Sequence, residues 1–154
     1  MYWSDYDPSN NSSTIFTSGM DGSSPSAIVT NRFNPCALVI DFHSSRLYWP
    51  DGPGKKIQSS DLDGRNVATV FDFPSEPVGL AIVNQKLFWG LFPSNILQIG
   101  NMHGTDIRIV YNGTESISHL AIPDWKYPRN RTNPCEGHIC PEICVLTLIS
   151  YKCL

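Results

Sequence analysis

A pair of adjacent aromatic residues recurs along this chain at nearly fixed steps: Tyr2-Trp3, Tyr48-Trp49 and Phe88-Trp89. Two more landmarks keep pace with it. A turn-like segment reads SGMDGS at 18–23, SDLDGR at 60–65 and GNMHGT at 100–105. An apolar segment reads PCALVID at 35–41, PVGLAIV at 77–83 and ISHLAIP at 117–123. Three landmarks in one order, with steps of 40 to 46 residues, make the chain a repeat array.

Each repeat has a readable local structure. ALVIDF, LYW, KIQSSDL and VATVFDF are short, rich in β-branched and aromatic residues, and divided by Gly, Pro, Asn or Asp. The LDGR segment is a turn, because Asp tolerates the tight backbone and Gly supplies positive φ. Asp61 and Asp63 belong to that turn, and the full pattern of a calcium loop is missing around them. No stretch shows an amphipathic helical period. Four short strands in about 40 residues is the signature of a propeller blade.

YWSD, YWPD and the degenerate FWGL resemble the YWTD repeat, the class B repeat of low-density lipoprotein receptors and their related proteins. The elements P-x-A-L-x-I-D, K-I-x-x-S-D-L-D-G and R-L-Y-W agree with it in order and spacing over residues 1–123. Six such repeats build a six-bladed propeller in that family. The resemblance therefore implies an all-β fold: a partial six-bladed propeller of about three blades. Residues 37–71 and 78–111 are expected to form two complete blades, and residues 1–30 part of an earlier one. Met1 aligns with Leu47 and Leu87 and so falls inside a strand, which implies further blades upstream. A three-bladed arc with open faces is expected to be marginally stable or to self-associate.

Chemistry assigns the aromatic pair a structural role. Alternation along a strand sends Tyr and Trp to opposite faces, where large rings wedge between blades. Tyr2, Trp3, Tyr48, Trp49, Phe88 and Trp89 are read this way. Asp5 and Asp51 are expected to accept backbone hydrogen bonds at the strand end and tie one blade to the next. The third copy has Leu91 at that position.

Cys135, Cys140, Cys144 and Cys153 follow a linker at 124–134 with spacing C-x4-C-x3-C-x8-C. Dense cysteines in a short tail read as a disulfide module of an oxidising compartment, and sequence alone allows three pairings. The tail, 135–154, resembles the first four cysteines of an epidermal-growth-factor-like module, cut short at Leu154. That resemblance implies Cys135 with Cys144 and Cys140 with Cys153. A zinc site using His138 is the alternative, but paired C-x2-C knuckles are lacking. Cys36, in an apolar strand, reads as a small buried residue.

Triplets that accept N-linked sugar begin at Asn10, Asn11, Asn112 and Asn130. They agree with an extracellular chain. The net charge of −3 gives no basic footprint for nucleic acid. No apolar run approaches the about 20 residues needed to cross a bilayer, so membrane attachment would come only from other parts of a parent chain. Motifs of the G-x-S-x-G, H-E-x-x-H and P-loop kinds do not occur. Asp41 and His43 alternate on one strand without a nucleophile beside them, and read as polar caps. No catalytic residue, metal site or cofactor is expected, and no ligand-binding residue is identified.

The resemblance implies a function: the extracellular ligand-binding segment of an endocytic, single-pass cell-surface receptor. It would recognise a protein or lipoprotein and release it in acidified endosomes. His103 and His119 are the candidates for sensing that pH. The alternatives are a Wnt-type signalling co-receptor or a nidogen-like matrix protein, and, further off, an enzyme built on a propeller.

Overall fold

The computed structural model describes residues 1–31, 35, 37–113, 117 and 120, and the backbone of 144–146 and 151–153. The described residues form strands joined by turns, with no helix among them. β1 (Tyr2–Asp7), β2 (Ser12–Thr17) and β3 (Ser26–Asn31) make a three-stranded antiparallel sheet. β4 (Val39–Asp41), β5 (Arg46–Asp51), β6 (Lys56–Asp61) and β7 (Ala68–Asp72) make a four-stranded meander. β8 (Glu76–Val83), β9 (Lys86–Phe92), β10 (Ile96–Asn101) and β11 (Arg108–Asn112) make another. These are the blades expected from the repeats, and we number them one to three.

The aromatic pairs sit at homologous places in the register. Trp49 lies opposite Gln58 on β6, and Trp89 lies opposite Gln98 on β10, each nine positions on. Trp3 lies opposite Phe16, thirteen positions on, so the first hairpin is four residues longer. That insertion accounts for four of the six residues by which the first step of the aromatic pair exceeds the second. Where the other blades set glutamine against tryptophan, blade one stacks Phe16 on Trp3, with ring centres 5.4 Å apart and planes 13° from parallel.

Alternation then distributes the rings between two cores. Leu47 and Trp49, both fully buried, point toward blade one and pack with Ile15 and Val29. Tyr48 and Ile57 point the other way, toward Leu80, Leu87 and Trp89 of blade three. Trp89 lies 4.7 Å from the ring of Phe71 and 5.3 Å from that of Phe73, both contributed by the outer part of blade two. Blade two thus lends its tryptophan to the core before it and its tyrosine to the core after it. Burying such rings supplies most of the driving force for stacking the sheets.

A second device joins the blades. In every outer strand the register slips by one residue, leaving Ile28, Val70 and Val110 as bulges. The glycine turn of the next blade settles on that bulge. A Cβ on Gly64 would lie 2.0 Å from the carbonyl oxygen of Ile28, and one on Gly104 would lie 2.2 Å from that of Val70. Both glycines have left-handed φ, +83° and +85°. Glycine is required twice here, for the backbone conformation and for the close approach. Tyr2 reinforces the first junction by donating its hydroxyl to Leu62 O at 3.1 Å.

At 144–146 and 151–153, β12 (Cys144–Leu146) and β13 (Tyr151–Cys153) form a short antiparallel pair that sets Cys144 opposite Cys153 in the register. The expectations for the linker, Cys36, Cys135, Cys140, His138 and the disulfide pairing lie outside the described residues, as do His119, Asn130 and most of the ISHLAIP segment.

Candidate functional site

Antiparallel order fixes which turns share an end of the blades. The connections at 42–45 and 84–85, and the glycine turns at 18–25 (Asp21-Gly22), 62–67 (Asp63-Gly64) and 102–107 (His103-Gly104), lie together at what we call the Asp-Gly end. The hairpin connections at 8–11, 52–55 and 93–95 lie at the opposite end.

At the Asp-Gly end, a cleft of about 610 Å³ opens between blades two and three. Blade two supplies Asp41, His43, Ser44, Arg46, Tyr48, Ser59, Thr69 and Val70, and blade three supplies Gln85, Asn101, Met102 and His103. Two histidines from different blades therefore border one cavity. The sequence marks His103 but gives no reason to couple it with His43, since the two are sixty residues apart. Phe42, beside His43 in the same turn, is 76% exposed.

The polar groups of the wall are fixed by local bonds. Asp41, although buried, accepts from His43 N at 3.0 Å and from the Ser44 hydroxyl at 2.5 Å, which closes the β4–β5 turn. This arrangement holds a turn and provides no nucleophile. Arg46 donates to Asp61 Oδ1 at 2.8 Å, to Ser59 Oγ at 3.0 Å and to Asn66 O at 3.2 Å. Asn66 in turn donates to Asp61 Oδ2 at 2.6 Å. Asp61 is thereby committed to the turn. The Arg46–Asp61 pair is part-exposed, and pairs of this kind contribute up to about 1 kcal/mol. His103 donates its backbone N–H to Asn101 Oδ1 at 3.0 Å, so its ring is presented from an ordered turn. No cluster of three or more potential metal ligands occurs among the described residues.

Tyr48 links the cleft to the core. Burial pushes its phenol above the ordinary value of 10.0, against the opposing hydrogen bond with Ser44. Folding therefore favours the neutral phenol. Stability on this account is intact below the ordinary phenol value and falls as pH rises toward the raised one. In urea unfolding followed by tryptophan fluorescence, the loss of stability between about pH 9 and 11 is expected to be smaller in Tyr48→Phe. An equal loss in both proteins would exclude Tyr48 as its source.

The other sequence candidates have structural surroundings. Asp51 accepts from Gly54 N at 2.8 Å and stands 4.0 Å from Lys56, so its partners lie within its own hairpin. In the longer first hairpin the equivalent place beside the turn belongs to Asp7, which accepts from Ser9 N at 2.9 Å. Asp5 is exposed in mid-strand, opposite Thr14. Leu91, in the place of the third aspartate, is buried in the core shared with blade two. Phe88 is half-buried on the opposite face of β9 from Trp89.

No protein-family model matches the chain. It is 31% identical over 149 residues to a vitellogenin receptor of Solenopsis invicta, covering 95% of this chain and 8% of that receptor. It is 30% identical to the vitellogenin receptor Yl of Drosophila melanogaster, over 95% of this chain and 7% of the relative. It is 32% identical to low-density lipoprotein receptor-related protein 5 of Mus musculus, over 85% of this chain and 8% of the relative. The chain thus spans less than a tenth of the curated relatives it matches. Among solved structures, a chain in a nidogen–laminin complex superposes with a TM-score of 0.67 at 20% identity, over 75% of this chain and 45% of that one. That likeness establishes the propeller fold. The first two relatives are named as receptors and the third as a receptor-related protein. Repeat, fold and relatives converge on a YWTD-type propeller that is similar, along 85–95% of its length, to segments of vitellogenin receptors and of low-density lipoprotein receptor-related protein 5.

Proposed function

We propose that this chain is part of the extracellular ligand-binding region of an endocytic cell-surface receptor, and that the Asp-Gly end of its blades meets a protein or lipoprotein partner. The observation that carries the reading is the match to receptors over 85–95% of the chain. The cleft supports the choice of end, because it joins two blades and is bordered by His43, His103 and the exposed Phe42. Vitellogenin, named in two of the relatives, is the partner to test first.

Imidazole side chains as a class acquire charge between neutral and endosomal pH, so a contact that relies on a neutral ring weakens on acidification. A histidine whose pKa moves by one unit on binding changes affinity by about tenfold. In cells displaying the parent receptor, labelled vitellogenin is expected to bind at neutral pH, enter the cell and dissociate on acidification. His43→Gln with His103→Gln is expected to retain it at acidic pH. Binding without internalisation would favour the signalling alternative, and an unchanged acid release in the double variant would remove the cleft from the mechanism.

A further inference from the structure

The four extra residues of the first hairpin coincide with two overlapping acceptor triplets, Asn10-Asn11-Ser12 and Asn11-Ser12-Ser13. A third, Asn112-Gly113-Thr114, begins on the last residue of β11. Asn10, Asn11 and Asn112 are all exposed. They also share one end of the blades. The first two sit in the 8–11 connection, and Gly113 N donates to Asn95 O, in the 93–95 connection, at 3.3 Å. The cleft, Phe42 and the Asp-Gly turns occupy the other end.

The overlapping triplets are not equivalent. Asn11 has φ 51° and fills the left-handed position that Lys55 (54°) and Asn95 (53°) fill in the other two hairpins. Its carboxamide oxygen accepts from the Tyr6 hydroxyl at 2.8 Å. The hydroxyl of its triplet, on Ser13, is 1% exposed. Asn11 is therefore occupied in making the turn. Asn10, by contrast, accepts a hydrogen bond from Ser12, so its carboxamide already meets the hydroxyl of its own triplet. The triplet is defined by that hydroxyl two residues on.

We infer that Asn10 and Asn112 carry N-linked glycans, that Asn11 does not, and that sugar is thereby confined to one end of blades one to three. The end bearing Phe42 and the cleft stays bare for a protein partner. In the transfer, Nδ2 of the asparagine attacks the anomeric carbon of an oligosaccharide linked to a lipid pyrophosphate. A C–N bond forms, the C–O bond to pyrophosphate breaks, the lipid pyrophosphate leaves and Nδ2 gives up one proton to a base. A glycan on either residue adds bulk only at an exposed site, so the packing between blades is undisturbed.

The inference rests on the extracellular reading, and its test is separable from that reading because the chain is placed in the secretory pathway by an added leader. From insect cells, peptides are deglycosylated enzymatically in heavy-oxygen water, which marks each former acceptor. Marks are expected at Asn10 and Asn112 and not at Asn11. Ser12→Ala is expected to abolish the Asn10 mark, and Ser13→Ala to leave it. Chains retained in the cell can be scored in the same way, so poor folding does not hide the result. Sugar at Asn11 in place of Asn10, or none at Asn112, overturns the assignment. For sidedness, carbene labelling of the intact chain is compared before and after deglycosylation. Tyr6 and Phe92 are expected to gain label severalfold, with Phe42 and Met20 unchanged. Equal gains at both ends overturn the asymmetry.

Discussion

Trp89→Ala is expected to lower the unfolding free energy by about 3–5 kcal/mol, the range for removing a large buried aromatic side chain. Trp89 is fully buried, its ring meets Phe71 and Phe73 of the neighbouring blade, and its Nε1 donates to Gln98 at 3.0 Å. Truncation therefore opens a cavity at a junction and leaves the Gln98 carboxamide without its donor. Trp3→Ala is the control. Trp3 is half-buried and, among the described residues, stacks on Phe16 of its own sheet, so its loss is expected to cost about 1 kcal/mol or a little more. Urea unfolding at constant m-value measures both. Equal losses at the two positions would show that burial between blades is not what makes tryptophan valuable here.

The second large effect concerns one atom. Gly64→Ala is expected to destabilise by the about 1–2 kcal/mol of a left-handed residue with a side chain, and by a further roughly 1–3 kcal/mol for overpacking. The added methyl would meet the Ile28 carbonyl, a backbone group that cannot rotate aside. Gly22→Ala isolates the first contribution. Gly22 has φ +80° in the same turn of blade one, yet a Cβ there has nothing within 4 Å. The difference between the two variants measures the cost of disturbing the docked turn. If Gly22→Ala proved as costly as Gly64→Ala, backbone conformation alone would explain both.

Much of this architecture is legible in the sequence because the repeat states it three times. Recurrence of Tyr-Trp places the second strand of each blade, and simple alternation assigns Tyr48 and Trp49 to different cores. The glycine of SDLDGR marks a turn with positive φ. What the turn touches is not legible. The Ile28 and Val70 carbonyls are exposed to the next blade by bulges, and a bulge is a matter of register between strands. Alignment by motif also sets Asp5 beside Asp51. Four extra residues in the first hairpin move the turn onward, so that Asp7 stands beside it instead. The cleft is hidden for the same reason as the docking: His43 and His103 become neighbours only after two sheets stack.

The bulges carry one more consequence. β3, β7 and β11 are each the last strand of their sheet, and a straight outer strand offers its free backbone groups to any other extended chain. The slip at Ile28, Val70 and Val110 interrupts that row of donors and acceptors in every blade. The same irregularity that receives the glycine turn of a proper neighbour thus spoils the template for fibrous assembly. Straightening it, for instance by deleting the bulged residue, would be expected to trade a specific junction for a sticky edge.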